Sequence, residues 1–411
     1  MFIAKRENGT EISLIHTKWS KIDLMIDRNT NLYFCPLCKE EVILKLGSIQ
    51  TWHFAHKPSS SCEYSRGGET EAHIKAKILL NRWLTDHGYS SSIECYLPEI
   101  KQRADVLATI ENKRYAFEIQ HSFIDEKQFV KRHKCYLSLG IEPFWIGLHT
   151  TSKEKKDTLT SSTSLHNLLI RNYPILHSVY INIDEPSWSV LTNYLYISSQ
   201  KIMVQRFKAS FFISPKQFLE LNNFQLEIST HDYFYSYYSI WITETKKKRV
   251  KVYLSMNKLE RYMLTIFQNY QVNLNYFPAL ANIPLKSNFY IQSPPQWWQS
   301  WIVITIINET PLQKSIAITS ICEKIRLMID RRIFCLRRLP VPDRELIRFT
   351  ILEYFDVLSY FGVLEKMYSG VYKVKSHIKL KKQLDTLSND DQYVICKLKE
   401  LGWRNSHKKI F

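Results

Sequence analysis

At 411 residues and 45% hydrophobic side chains, the chain has the size of two or three globular domains with filled cores. Its 56 Lys and Arg against 39 Asp and Glu give a formal charge of +17, which favours polyanionic partners, nucleic acid ahead of a membrane surface. No apolar run reaches the ~18 to 20 residues of a membrane span, and MFIAKRENGTEISLIH lacks a signal-peptide pattern, so a cytoplasmic protein is expected.

Phe2 to Lys5 and Glu11 to Leu14 flank an Asn8-Gly9 pair, a hairpin signal. CPLC then presents Cys35 and Cys38 at the spacing of two tetrahedral zinc ligands, WHFAH adds His53 and His56 after a gap of fourteen residues, and Cys62 follows. EVILKLGSIQTW alternates around Gly47 like a hairpin, so the two ligand pairs meet at the base of a zinc-ribbon-like module spanning residues 1–66. Four of these five residues make a closed structural Zn²⁺ site, and the spacing leaves open whether His53 or Cys62 is left out. The other cysteines, Cys95, Cys135, Cys322, Cys335 and Cys396, are scattered as buried thiols rather than paired as a disulfide frame.

From residue 67 to 150 the pattern is that of an α/β (α+β) unit with a mixed sheet flanked by helices. Helical spacing runs from Glu69 to His87, strands are expected at Ser92–Leu97, Ala104–Ile110 and Arg114–His121, a second helix at Asp125–Leu139, and a last strand at Pro143–Gly147. Glu69, His73 and Lys77 share one helical face, which taken alone is an ordinary solvated stripe. Glu118 and Gln120 share one strand face, as a half-exposed polar pair or as part of a metal site. Asp105 on the neighbouring strand favours the metal site. Two carboxylates that close repel unless a hard cation such as Mg²⁺ or Mn²⁺ lies between them, and such an ion suits phosphodiester hydrolysis.

Residues 151–165 are polar and Ser/Thr-rich and read as a linker to an aromatic-rich region at 166–310. There Ser178–Ile183, Phe211–Ile213, Tyr238–Ile242 and the apolar run Trp301–Ile307 read as strands, and Pro215–Leu221 as a short helix. Lys246, Lys247, Lys248 and Arg249 form a basic run that contacts phosphate or caps a solvated hairpin. PPQWWQSW offers rings for base stacking or for a core. In residues 311–411 a helix from Asp343 to Gly362 precedes a two-stranded ribbon at Leu364–Val374, which reads as the end of a winged helix approached by Arg331, Arg332, Arg337 and Arg338. Such a unit contacts DNA or another protein.

The arrangement of helix Glu, strand Asp and Glu-x-Gln resembles the PD-(D/E)XK nuclease fold. The series CPLC, WHFAH, ETEAHIKAK, KQRADVL, FEIQHSFID and PFWIG, from Met1 to about Gly147, resembles the competence protein CoiA family. That resemblance implies a nuclease-like domain acting on incoming single-stranded DNA in natural transformation, in concert with a recombinase and the competence machinery. It places Glu69, Asp105, Glu118 and Gln120 at the catalytic positions, with His73, Lys77, Arg103, Arg132 and Tyr136 in support. Two positions depart from the broad motif: Ala104 stands for proline and Gln120 for lysine, so either Lys77 or Arg103 supplies the charge that the lysine brings or the metal alone suffices. The expectation is a Mg²⁺- or Mn²⁺-dependent DNA nuclease with a structural zinc. Its alternative is a non-catalytic DNA-binding recombination mediator; a transcriptional regulator leaves Asp105 and Glu118 idle.

Overall fold

A computed structural model describes residues 1–14, 19–36, 38–48, 52–60, 62, 70–121, 124–149, 157–171, 176–220, 230–339 and 342–401. The chain divides into two compact units. One comprises Met1–Lys155, His177–Leu191 and Arg206–Gln225, the other Lys156–Leu176, Thr192–Gln205 and Leu226–Phe411.

The first unit opens with β1 (Ile3–Arg6) and β2 (Glu11–Ser13), joined through the expected Asn8-Gly9 turn, where Gly9 takes φ +82°. Helix α1 (Lys21–Thr30) follows. It is started by a capping box in which Ser20 and Asp23 satisfy each other's backbone N–H groups. Strands β3 (Tyr33–Phe34), β4 (Glu41–Lys45) and β5 (His53–His56) complete a five-stranded sheet of order β2-β1-β3-β4-β5. Ala4, Ile12, Leu24, Val42, Leu44 and Phe54 fill its small core together with Cys35 and Cys62.

Helix α2 (Glu71–Asp86) starts at the Thr70 cap and stops before Gly88. Strands β6 (Ser90–Leu97), β7 (Gln102–Ile110) and β8 (Lys113–Gln120) pair antiparallel. Helix α3 (Glu126–Ser138) then crosses over so that β9 (Ile141–His149) pairs parallel to β8. Phe117 and Ile119 of β8 pack with Ile74, Leu80 and Leu84 of α2. Glu118, lying between them, therefore points to the opposite face.

Next come β10 (Asp157–Ser161), α4 (Ser164–Leu169), β11 (His177–Asn182), β12 (Ser187–Tyr196), β13 (Lys201–Ser210) and α5 (Pro215–Glu220). The boundary expected at residue 150 does not hold for the sheet, because β11 pairs parallel with β9 and extends the first unit beyond it. The linker expected at 151–165 contains β10, which pairs antiparallel with β13, and the start of α4. Its Ser and Thr residues serve as strand and cap residues, Thr163 accepting from the His166 N–H. Phe211–Ile213 lies past the end of β13 and is not a strand.

In the second unit, α6 (Thr230–Arg249), α7 (Lys258–Asn269) and α8 (Pro295–Ile302) pack around a large aromatic core. Two expected strands are helical. Tyr238–Ile242 lies inside α6, and Val303–Ile307 continues α8 as a π-helical turn. Both runs are short and rich in apolar residues, and such a run carries no period that separates a buried strand from a buried helix. Trp297, Trp298 and Trp301 are core residues, not a stacking platform. Strand β14 (Ser315–Ala317), helices α9 (Ile318–Asp330) and α10 (Asp343–Tyr360), strands β15 (Leu364–Tyr368) and β16 (Val371–Val374) and helix α11 (Leu384–Leu401) complete the chain, with sheet order β14-β16-β15. Strand, two helices and a returning ribbon with the first strand beside the last is the winged-helix arrangement.

The basic run ends α6 rather than capping a hairpin. Lys246 and Lys247 are exposed, but Lys248 lies 5.0 Å over the Trp241 ring, and burial brings its amine down to about 8. Arg249 is buried: it donates to both Asp391 oxygens, at 2.7 and 3.0 Å, and stacks over Phe277. Arg249 is thus a structural residue, whatever Lys246 and Lys247 touch. Arg249→Ala leaves Asp391 buried and unpaired, and urea unfolding should show a loss of about 3 to 5 kcal/mol, whereas Lys247→Ala leaves the midpoint in place.

Candidate functional site

Two clusters of chemistry-bearing side chains lie in the first unit. In the N-terminal sheet, the turn after β3 brings Cys35 and Cys38 together: Lys39 takes φ +64° and returns its N–H to the Cys35 carbonyl at 3.1 Å. β4 and β5 pair with Val42 opposite His56 and Lys45 opposite His53. His53 and His56 are three apart in a strand and so point to opposite faces, and only one can meet the cysteines. It is His56. Ligand atoms of Cys35, Cys38, His56 and Cys62 all lie within 4.8 Å of one another, with Cys35 and Cys62 buried. His53 is outside the group. Burial pushes the Cys38 thiol up and the His56 imidazole down. Three sulfurs and an imidazole are the donor set of a closed tetrahedral zinc site.

The second cluster lies where β6, β7 and β8 run side by side. The Asp105 side chain takes the Ile119 N–H at 2.9 Å, standing in for the backbone partner where β7 and β8 part. From α2, His73 donates Nε2–H to the same Asp105 oxygen at 3.2 Å, and Lys77 Nζ lies 3.9 Å from the other. Glu118 receives one Arg132 nitrogen at 2.7 Å from each of its oxygens and the Tyr136 hydroxyl, both from α3. Arg132 also reaches the Arg103 carbonyl at 3.3 Å and lies over the Trp145 ring. Gln120 follows half-buried, two residues on. Glu69 lies outside the described residues.

Burial raises Asp105, but the charge and hydrogen bond of His73, with Lys77 and the Ile119 N–H, bring it below the ordinary carboxylate range. For Glu118, burial wins over Arg132 and pushes its carboxyl up to about 7. Side-chain cations already hold both carboxylates, so their closeness does not by itself call for a metal between them. Among the described residues no metal-sized group of ligands forms at this site.

One member of the cluster escaped the sequence reading. Glu94, buried on β6 at φ +56°, accepts from Lys77 Nζ at 2.7 Å and from the Phe2 N–H at 2.8 Å, with Arg103 3.7 Å away. A charged residue inside the apolar strand SSIECYL was the available signal.

Three family profiles match in series: Competence protein CoiA, N-terminal domain, over residues 16–65; nuclease-like domain, over 69–224; and C-terminal domain, over 237–387. The chain belongs to the CoiA family. It is 25% identical over 350 residues to Competence protein CoiA of Bacillus subtilis (strain 168), an alignment covering 83% of this chain and 89% of that protein. No solved structure matches it. The nuclease-like domain of the CoiA family ends near α5, as the strand pairing does, and both clusters fall in regions that the family describes. Among the described residues no helix is long and apolar enough to cross a membrane.

Two outcomes follow. Purified protein should carry about one zinc per chain, and Cys35→Ser or Cys62→Ser should lose it and expose the N-terminal sheet to protease, since binding at a closed site is folding free energy; metal analysis checks the first and limited proteolysis the second. At the carboxylates, Arg132→Met should cost about 3 kcal/mol or more of stability by urea unfolding. Adding Glu118→Gln should restore most of it, because the pair is then removed together.

Proposed function

We propose that the chain is a DNA-processing protein of natural transformation, a Mg²⁺- or Mn²⁺-dependent nuclease acting on incoming single-stranded DNA, with a structural zinc in its N-terminal sheet. The observation that supports this most is the pair Asp105 and Glu118 on adjacent strands of a nuclease-like domain, each carboxylate turned to polar groups rather than into the apolar core. The donor chemistry suits a hard divalent cation. Both ligands are oxygen, and one Asp105 oxygen accepts no hydrogen bond from the described residues. Such an ion, when bound, supplies an activated water and offsets charge on the leaving oxygen.

The rest falls to the chain. Arg132, its side chain 27% exposed, has to leave Glu118 before that carboxylate can act as a ligand, and its guanidinium is then available to a substrate phosphate. Lys77, its ammonium 3.9 Å from Asp105, supplies the charge that Gln120 lacks. His73 and the Ile119 N–H keep Asp105 ionised and oriented. The partners on this reading are single-stranded DNA, a recombinase and the competence machinery.

A second reading has its own support. Arg132, Lys77 and His73 already balance the carboxylates, which is what a non-catalytic DNA-binding mediator on the same fold requires. The two part in one assay with labelled single- and double-stranded DNA in Mg²⁺ or Mn²⁺. The nuclease reading expects cutting by the wild type, slowed on the order of 100-fold or more in Asp105→Ala and Glu118→Ala with DNA binding kept. A wild type inert with both metals, yet still binding DNA, leaves the mediator.

A further inference from the structure

The second unit contains a groove of about 580 Å³ that neither cluster accounts for. Its walls are the end of α10, the extended segment 376–381 and α11. Tyr360 and Tyr393, 43% and 57% exposed, line it, and the Phe361 ring lies 6.5 Å from that of Tyr393. Lys379, Lys381 and Lys397 stand among these rings, with Asp390 as the lining carboxylate. Lys379 has no ion-pair partner among the described residues. Lys381 pairs with Asp390 and Lys397 with Glu400, each at 2.6 Å, exposed contacts of the kind that contribute little and trade readily for phosphate. The wall is held in place: Asn308 donates to the Ile378 carbonyl at 2.9 Å and accepts the Ile378 N–H at 3.0 Å.

The surface that a winged helix would offer a duplex is different in character. Along α10 and the ribbon, Lys366 is taken by Asp356, Lys373 and Lys375 by Glu365, and Arg344 and Arg348 share their helix with Asp343 and Glu345. That face carries five cations against four carboxylates, the same small excess as the three groove lysines against Asp390 and Glu400, so what sets the groove apart is a concave wall with two exposed tyrosines beside its lysines. The groove is cationic and carries exposed rings, the combination that holds single strands by stacking and backbone charge rather than reading base-pair edges.

We propose that this groove binds a short stretch of single-stranded nucleic acid, DNA on the function proposed above, on which the choice of DNA rests, with bases against Tyr360 and Tyr393 and phosphates against Lys379, Lys381 and Lys397. It is a holding site, separate from the carboxylates, and performs no chemistry. Every base has a π-face, so it is indifferent to sequence.

The test is anisotropy of a fluorescein-labelled oligo-dT and of a blunt duplex of equal length, titrated with the full chain across a salt series. Tyr393→Ala and Tyr360→Ala should each weaken oligo-dT binding about 10-fold, Tyr393→Phe should restore it, and Lys379→Glu should lower the salt slope by about one. Duplex affinity should change little. Because both rings are exposed, the variants should melt like the wild type, which thermal unfolding checks. Halogenated-uracil photo-crosslinking of the wild type should mark Tyr360 or Tyr393. If the groove variants bind oligo-dT as tightly as the wild type, the proposal is overturned, including the case in which a protein partner occupies the groove. If the wild type binds neither DNA, this proposal and the function above both fall. A wild type that cuts nothing but loses oligo-dT on Tyr393→Ala overturns the nuclease reading and leaves the groove standing.

Discussion

A carboxylate taken into a sheet must find a cation, find hydrogen bonds, or give up its charge, and three adjacent strands here each carry one: Glu94 on β6, Asp105 on β7 and Glu118 on β8. Most of the first unit's geometry answers that demand. Helix α2 brings His73 and Lys77 to Asp105 and Glu94, while α3 brings Arg132 and Tyr136 to Glu118. Neither helix can slide along the sheet without stranding a buried charge, so the ion pairs set register where apolar packing alone tolerates shifts. Glu118 is the member that yields, its carboxyl raised to about 7 by burial despite Arg132. Its counter-ion is also the most exposed of those around the three carboxylates, 27% for Arg132 against 19% for His73 and 0% for Lys77.

The same network reaches the N-terminal sheet. Glu94 holds the Phe2 N–H, and Phe2 sits buried beneath Lys77, in one apolar cluster with Ile74 and Trp83 of α2. The strand leading away from Phe2 belongs to the sheet whose small core includes Cys35 and Cys62. A core of that size is a weak source of stability by itself, and a closed four-ligand cluster is the usual supplement. Loss of the Cys/His cluster should therefore be felt at Lys77 as well, through one shared carboxylate.

Much of this was legible in the sequence because it is local. Periodicity and caps placed α2, α3 and β6 to β9 within a few residues, and the spacing of Cys35, Cys38 and His56 is a ligand pattern in itself. The Asp23 three residues after Ser20 was an equally local signal for α1 that went unused. What could not be read depended on distant partners. Strand β11 extends the first unit only by pairing with β9, and the runs Tyr238–Ile242 and Val303–Ile307 are too short and too rich in apolar residues for a period to tell helix from strand. The charge balance at Asp105 and Glu118 also went unread, since it needs cations delivered from two helices.

The surplus of basic residues shows how far such distant placement can mislead. The runs that stand out in the sequence are partly consumed by the fold: Arg249 is locked to Asp391, Lys248 lies against Trp241, and Arg337 is buried with its guanidinium over Phe289. Arg331 and Arg332 do stay exposed, in the turn after α9. The groove between α10 and α11, by contrast, is assembled from Tyr360, Lys379, Tyr393 and Lys397, none of which belongs to a basic run longer than a few residues. A net charge of +17 says that a polyanion is favoured. Where it docks is decided by which cations remain unpaired after the buried carboxylates have taken theirs, and by whether exposed rings stand beside them.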